Sequence, residues 1–468
     1  MRKIITLLTC LCVSALAHAQ LFPVVNLKNS GPASNRINMV ILPDGFTAGE
    51  LPTFQAEADT ILQHVFLESP MKEYANFYNA YCINVPSVES GTDHPATATD
   101  VAEPVIPYAN VNTYFNCTFD GNYTHRALTC NGMAAAFNVL AANFPAYDQV
   151  IMLANSFEYG GTGGAVATCS RNAAANETAR HELGHSFAGL ADEYWAPGFA
   201  AEKPNMTTEA DTNILKWNSW LHKGGVGHFR YGSSGGAESW YRPHQLCKMQ
   251  YLNYPFCHVC QEAFIDKIYQ VITPIDSLFP SNAAVIDYTV PTTFRMKLIK
   301  PIPYTLSVKW QLNGFDIAPV SDTSIDINGG LLPPGVNALT AYVTDTTPLS
   351  HSYRPEAGYM FSKTWYIRKS GVGVISITNS QGNDHFFYKL YPVPVKNDLT
   401  LAYDNTTRDE SVRYSILDIS GKTVRSGSLP LQQGKQTVSI NVSGIIPGNY
   451  ILRLNSAAVY VAERITIE

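Results

Sequence analysis

Two histidines four residues apart, with a glutamate directly after the first, constrain this chain more tightly than any other stretch. The segment is His181-Glu182-Leu183-Gly184-His185, continuing as Ser186-Phe187-Ala188-Gly189-Leu190-Ala191-Asp192-Glu193-Tyr194. On an α-helix, imidazoles at i and i+4 project from one face, about 6 Å apart along the axis, and can grip one zinc ion from one side. Glu182 stands where a carboxylate can reach a metal-bound water. A helix is expected here, because Ala173 to Arg180 is rich in helix formers and contains no Gly or Pro. Gly189 is placed to end that helix in a left-handed turn. The chain can then bring a third ligand back to the metal, and two acids follow, Asp192 and Glu193. A solvated helix whose histidines merely pack would leave the order of His, Glu, His, Gly and Asp unexplained.

A second segment supports the metal. Cys247-Lys248-Met249-Gln250-Tyr251 resembles the methionine turn of metzincin proteases, in which a Met side chain forms an apolar floor beneath the metal ligands. In some of those families a Tyr two residues after the Met reaches the metal or the developing oxyanion, and Tyr251 occupies that position. Alone, a Met in a mixed stretch is more often core filler.

Length and composition bound the rest. At 468 residues the chain is too long for one core, and three folded units are expected. The formal net charge of −6 shows no basic excess, which argues against nucleic acid as a partner. No apolar run long enough to span a membrane follows the N-terminus, so no transmembrane span is expected. Arg2 and Lys3, the apolar run Ile4 to Leu16 and Ala17-His18-Ala19 read as a signal peptide cleaved after Ala19. A lipoprotein reading would want a small residue before Cys10 or Cys12, and Thr9 and Leu11 stand there instead. The other seven cysteines all precede residue 261. In an exported protein they suggest disulfides, Cys117 with Cys130 and Cys247 with Cys257 or Cys260, and their odd number leaves at least one thiol unpaired. Cys257-His258-Val259-Cys260 could also be a redox pair or half a structural zinc site. It lacks a second pair and a thioredoxin-like context, so a structural staple fits better.

Along the chain, residues 36–43 read as a buried strand ended by Pro43-Asp44-Gly45, followed by an amphipathic helix with Phe54, Ala58, Ile61, Leu62 and Val65 on its apolar face. A second strand, Tyr147 to Asn155, precedes Tyr159-Gly160-Gly161-Thr162-Gly163-Gly164. Strand, glycine-rich segment and zinc helix follow the zincin order, in which an edge strand binds substrate backbone; a flexible loop is the alternative. Val259 to Ile272 reads as the last helix of this unit. Residues 275–369 carry short alternating runs separated by Asn313-Gly314 and Pro333-Pro334-Gly335, which fit an immunoglobulin-like sandwich. Residues 370–387 form a linker containing Gly371, Gly373, Ser380 and Gly382-Asn383.

Two resemblances organise these readings. Asp44-Gly45-Phe46, Phe77, Cys82-Ile83-Asn84-Val85, Ser87-Val88-Glu89-Ser90-Gly91, His181 to Tyr194 and Cys247-Lys248-Met249 resemble the M64 (IgA peptidase) family of zinc metalloproteases. Residues 388–468, with Leu390-Tyr391-Pro392-Val393-Pro394, Ser420-Gly421-Lys422 and Ile446-Pro447-Gly448-Asn449-Tyr450, resemble the type IX secretion sorting domain of Bacteroidetes, though Val393 stands where Asn is common. The resemblances imply an α+β, metzincin-like zincin domain over residues 20–274 and two all-β domains after it, the sandwich and a small β-sandwich sorting domain. They imply an exported zinc endopeptidase acting on protein or peptide substrates, and passage through the type IX secretion machinery to the surface or medium. His181, His185 and Asp192 are the expected metal ligands, Glu182 and Tyr251 the catalytic groups. Gly189 and Asp192 each fall one residue later than in the metzincin pattern, which keeps Glu193 open as the third ligand. The competing reading is a non-catalytic surface protein that binds glycan or host protein, with a structural zinc site.

Overall fold

The computed structural model describes residues 21–195, 200–234, 236–319, 321–333, 335–351, 359–369, 386–405, 410–455 and 460–468. The signal peptide and nearly all of the linker lie outside these residues. The described chain is mostly β, with four α-helices, and gathers into two compact units. One runs to Ser277 and includes 297–307 and 343–361; the other comprises 278–296, 308–342 and 362–468.

The first unit is built on a six-stranded mixed sheet. Its strands are β1 (Val24–Lys28), β2 (Ile37–Asp44), β3 (Tyr78–Ile83), β6 (Gln149–Ala154), β7 (Gly161–Thr162) and β8 (Ala167–Ser170), in the order β1-β3-β2-β6-β8-β7. The four inner strands are parallel, and β1 and β7 close the edges antiparallel. Every residue of β2 is buried, as expected of a parallel strand covered on both faces. Met39 and Ile41 pack with α1 (Leu51–Val65), α3 (Ala175–Ser186) and α4 (His258–Val271). Val40 and Leu42, one residue out of phase, pack with α2 (Met133–Asn143). The five apolar residues read from the period of α1 are its buried residues. Ahead of that helix, Thr47 donates its N–H and hydroxyl to Glu50 Oε2, at 2.8 and 2.7 Å.

Two of the resemblance motifs meet at the end of β2. Gly45 has φ +73°, and a Cβ there would sit 1.8 Å from the Gly91 carbonyl oxygen. Its N–H donates to Ser87 Oγ at 2.9 Å, and Gly91 N–H donates to the Gly45 carbonyl at 3.0 Å. Beside it, fully buried Asp44 accepts from Phe115 N–H (2.7 Å), Cys117 N–H (2.8 Å) and Thr113 Oγ1 (2.9 Å). Burial raises the Asp44 carboxyl above its usual range, and these hydrogen bonds oppose the rise.

Residues 275–369 contribute a three-stranded and a five-stranded sheet. Within the second unit, Trp310 stacks on Trp365 (5.7 Å between centroids, 16° between planes) and Phe294 meets Trp365 edge-on. The C-terminal residues are all β, in a three-stranded and a four-stranded sheet around Leu399, Val412, Ile416, Leu452 and Ile465.

Asp44→Ala would strand two buried backbone N–H groups and a hydroxyl. A loss of about 2–4 kcal/mol is expected, seen as a lower thermal midpoint by calorimetry, whereas an unchanged midpoint would mean that the loop re-pairs elsewhere.

Candidate metal centre

Helix α3 brings His181 and His185 to one face, as their spacing requires. Their Nε2 atoms are 3.2 Å apart, and Asp192 Oδ1 lies 3.0 Å from the first and 3.2 Å from the second. The opposite ring nitrogens are occupied. His181 Nδ1–H donates to the Lys248 carbonyl at 3.0 Å and His185 Nδ1–H to the Leu190 carbonyl at 2.8 Å. With Nδ1 so committed, each imidazole turns its Nε2 toward the other and toward a carboxylate; burial opposes a proton on His185, but Asp192 raises its pKa to about 9. Those donor atoms suit a divalent cation, with carbonyls orienting the rings from behind. Burial opposes ionisation of Asp192, but hydrogen bonds from both histidines hold its carboxyl well below the usual range.

The turn that delivers Asp192 is closely specified. After α3, Gly189 adopts φ +66° and donates to the His185 carbonyl at 3.2 Å. Asn205, fully buried, grips Ala191 through both backbone groups, at 2.7 and 2.8 Å. Glu193 N–H donates to the Met249 carbonyl at 2.8 Å, and the Glu193 side chain accepts from Asn205 and from Cys260 Sγ. Of the two adjacent acids, the structure brings Asp192 to the histidines and turns Glu193 away into the core.

Met249 is fully buried under Gly184, where an added Cβ would meet its Sδ at 2.6 Å. Lys248, also fully buried, is neutralised by Glu177 and Glu68 and donates to the Leu252 carbonyl at 2.7 Å. Gly163 lies so close to α3 that a Cβ would meet His185 Cβ at 2.6 Å. The glycine-rich segment includes a short strand rather than forming only a loop. Gly161 N–H donates to the Arg126 carbonyl at 3.1 Å and Thr162 Oγ1 to the Leu128 carbonyl at 2.6 Å, so both groups are engaged within the chain.

A cavity of about 240 Å³ opens beside this centre, lined by Arg126, Tyr159, Gly161, His181, Glu182, Tyr194, Gln250 and Leu252. Glu182 is buried and its Oε2 has no hydrogen-bond partner among the described residues. Burial raises its carboxyl above the ordinary value, while the two histidines pull it back. Tyr251 does not line this cavity; it is 49% exposed, with its ring against Tyr254. Arg126 and Tyr194 line it instead, the guanidinium lying 5.3 Å from the Tyr194 ring centre, and Tyr194 stacks beside His181. Nothing local in the sequence marks Arg126, which arrives from a distant loop.

The expected disulfides are absent. All seven described cysteines are free thiols. Cys117 and Cys130 face each other across the β4–β5 pair (Cys117–Thr118 with Thr129–Cys130), yet Cys130 Sγ donates to the Phe115 carbonyl at 3.3 Å. Cys247, Cys257 and Cys260 do converge, but as three sulfurs around one point, with Cys260 3.7 Å from Cys247 and 3.6 Å from Cys257.

The comparisons with known proteins indicate a peptidase. Residues 25–226 match the IgA Peptidase M64 model and residues 389–468 the secretion system C-terminal sorting domain model. The chain thus carries an M64 peptidase domain and, at its C-terminal end, a type IX sorting domain, which marks it for export to the outer membrane, cell surface or medium. No helix among the described residues is long and apolar enough to cross a membrane. A search of curated proteins gives no match. Solved structures that match include dimeric latent PorU from Porphyromonas gingivalis (14% identity, 41% of this chain and 20% of that one, TM-score 0.17). A chimeric titin Z1Z2 tandem also matches (13%, 39% and 93%, 0.18), as does Parabacteroides merdae β-glucuronidase (7%, 51% and 28%, 0.15). The chain spans about a fifth of PorU, and overlaps at these TM-scores carry no argument about fold.

Gly184→Ala should push Met249 from its seat and cost about 1–3 kcal/mol. Thermal unfolding measures the loss, and a midpoint equal to the parent's would show that the contact is slack.

Proposed function

We propose that this chain is an exported zinc endopeptidase that cleaves extracellular proteins. One observation carries the reading: two imidazole nitrogens and a carboxylate oxygen converge within 3.0–3.2 Å beside a cavity that Glu182 lines. Zinc bound by His181, His185 and Asp192 would supply Lewis acidity, polarising a peptide carbonyl and easing ionisation of water. Glu182 takes the proton from the attacking water and delivers it to the leaving amine.

In the present geometry Arg126 is better placed than Tyr251 to face the developing oxyanion, because it lines the cavity. Tyr194 packs against both Arg126 and His181 and holds the two in register. The mixed sheet with α3 against it, and Met249 beneath Gly184, favour the metzincin-like reading of this unit. The two sheets of residues 275–369 favour an immunoglobulin-like domain. The surface-binding alternative gains nothing from a cavity lined by a buried, unpartnered carboxylate.

Glu182→Ala should keep the parent's zinc content and lose more than about a hundredfold in peptidase rate. Asp192→Ala should lose zinc from this site and activity together. Plasma emission spectrometry and a quenched-peptide assay read both. Activity of Glu182→Ala within tenfold of the parent would sink the mechanism, and an Asp192→Ala protein with full zinc would exclude Asp192 as a ligand.

A further inference from the structure

A second cluster in the first unit has the geometry of a metal centre and belongs to no step of the proposed chemistry. His94, Glu103, Asp120 and His125 each direct one ligand atom to a common point, all within 4.8 Å of one another. His94 Nε2 lies 3.2 Å from Glu103 Oε2 and 3.7 Å from Asp120 Oδ1. His125 Nδ1 lies 3.0 Å from Glu103 Oε1 and 3.3 Å from Asp120 Oδ1. Ligands about 2.0–2.1 Å from a tetrahedral zinc ion stand about 3.3–3.4 Å from each other, the middle of this range. The histidine–aspartate separations at the first centre, 3.0 and 3.2 Å, are similar.

The outward-facing atoms are already committed, which is what a ligand shell needs. His94 is fully buried, and its Nδ1–H donates to the Pro107 carbonyl at 3.2 Å. Its Nε2 therefore points at two carboxylates, and it has no hydrogen-bond partner among the described residues. Asp120 Oδ2 accepts from Thr97 N–H at 2.7 Å, while buried Oδ1, facing the centre, has no partner. Glu103 Oε2 also accepts from Val105 N–H at 2.9 Å, and His125 Nε2 reaches Glu158 Oε1 at 3.4 Å. A lone pair packed against two carboxylates is repulsive unless a cation lies between them. The competing arrangement is a doubly protonated His94, an imidazolium with no exposure to water.

We propose that His94, Glu103, Asp120 and His125 form a closed, four-coordinate zinc-type site that organises the rim of the catalytic cavity. The residue after His125 is Arg126, whose side chain lines that cavity and whose carbonyl holds Gly161. Metal at this site fixes Arg126 and the glycine segment together.

The test is metal content of the full chain loaded with zinc chloride and desalted, and anomalous scattering from its crystals at the zinc edge. An anomalous peak among the four side chains is expected, with His94→Ala losing one zinc equivalent while keeping that of His181 and His185. Peptide KM should rise in this variant more than kcat falls. Should His94→Ala fail to fold, the unmodified crystal still decides. No anomalous peak among the four side chains, alongside one at His181 and His185, would leave a protonated histidine–carboxylate network and overturn the proposal.

A different observation supports a third centre. Cys247, Cys257 and Cys260 are buried with sulfurs 3.6 and 3.7 Å apart, and Glu193 Oε1 lies 3.3 Å from Cys260 Sγ. Thiolates about 2.3 Å from a tetrahedral zinc stand about 3.7–3.8 Å apart, whereas a disulfide holds its sulfurs at about 2.05 Å. Three thiols leave one unpaired under any disulfide, and Glu193 Oε2 is buried without a partner. The geometry points to a Cys₃Glu zinc site joining the turn after α3, the Met249 turn and the start of α4. In the full chain loaded with cobalt, thiolate-to-cobalt charge-transfer absorption is expected, and it should disappear in Cys260→Ser. Peptide mapping of protein recovered from the culture medium that finds a disulfide between any two of the three, or cobalt-loaded protein lacking this absorption, would overturn the assignment.

Discussion

Everything at the candidate catalytic centre depends on two imidazole lone pairs held 3.2 Å apart and facing the same carboxylate. Burial opposes a proton on His185, yet Asp192 raises its pKa to about 9, so either a proton or a metal ion must lie between these groups. The Lys248 and Leu190 carbonyls fix which nitrogen of each ring carries its proton, and Asn205 fixes the backbone that presents Asp192. A metal cation there would take the place of that proton, and the surrounding structure keeps the candidate ligand atoms converged.

Elsewhere in this unit several buried polar groups are satisfied within the chain. Asp44 sits among three donors and acts as a structural knot. Lys248 lies against two carboxylates and acts as an internal ion pair beneath the metal-ligand helix. By contrast, His94 and Asp120 meet with atoms that nothing in the protein satisfies. Burial without partners separates these from ordinary core polar residues, since such groups cost free energy unless something pairs with them.

Local periodicity made part of this legible in advance. The α1 face, β2, β6, α4 and the placement of Gly189 follow from apolar spacing and turn chemistry over a few residues. The spacing from Gly189 favoured Asp192 over Glu193 but left Glu193 open, because what orients the two acids includes Asn205, which folds back from beyond the turn. Arg126, Lys248 and the His94–His125 pair were invisible for a related reason. Their partners come from remote parts of the chain, and β8 is too short to announce itself. The cysteines misled because spacing supports pairing but does not show three sulfurs meeting one carboxylate. Tyr251 was placed by analogy of spacing after Met249, yet the chain turns there and its ring packs against Tyr254 instead.

The central claim is metal-dependent peptide hydrolysis, and the most direct measurement is cleavage of a mixed protein library by the purified chain, with cut sites mapped by mass spectrometry. The account predicts cuts within protein chains that vanish with a zinc chelator and return when zinc is restored. Cleavage indifferent to the chelator, or no cleavage by zinc-replete protein, would contradict it.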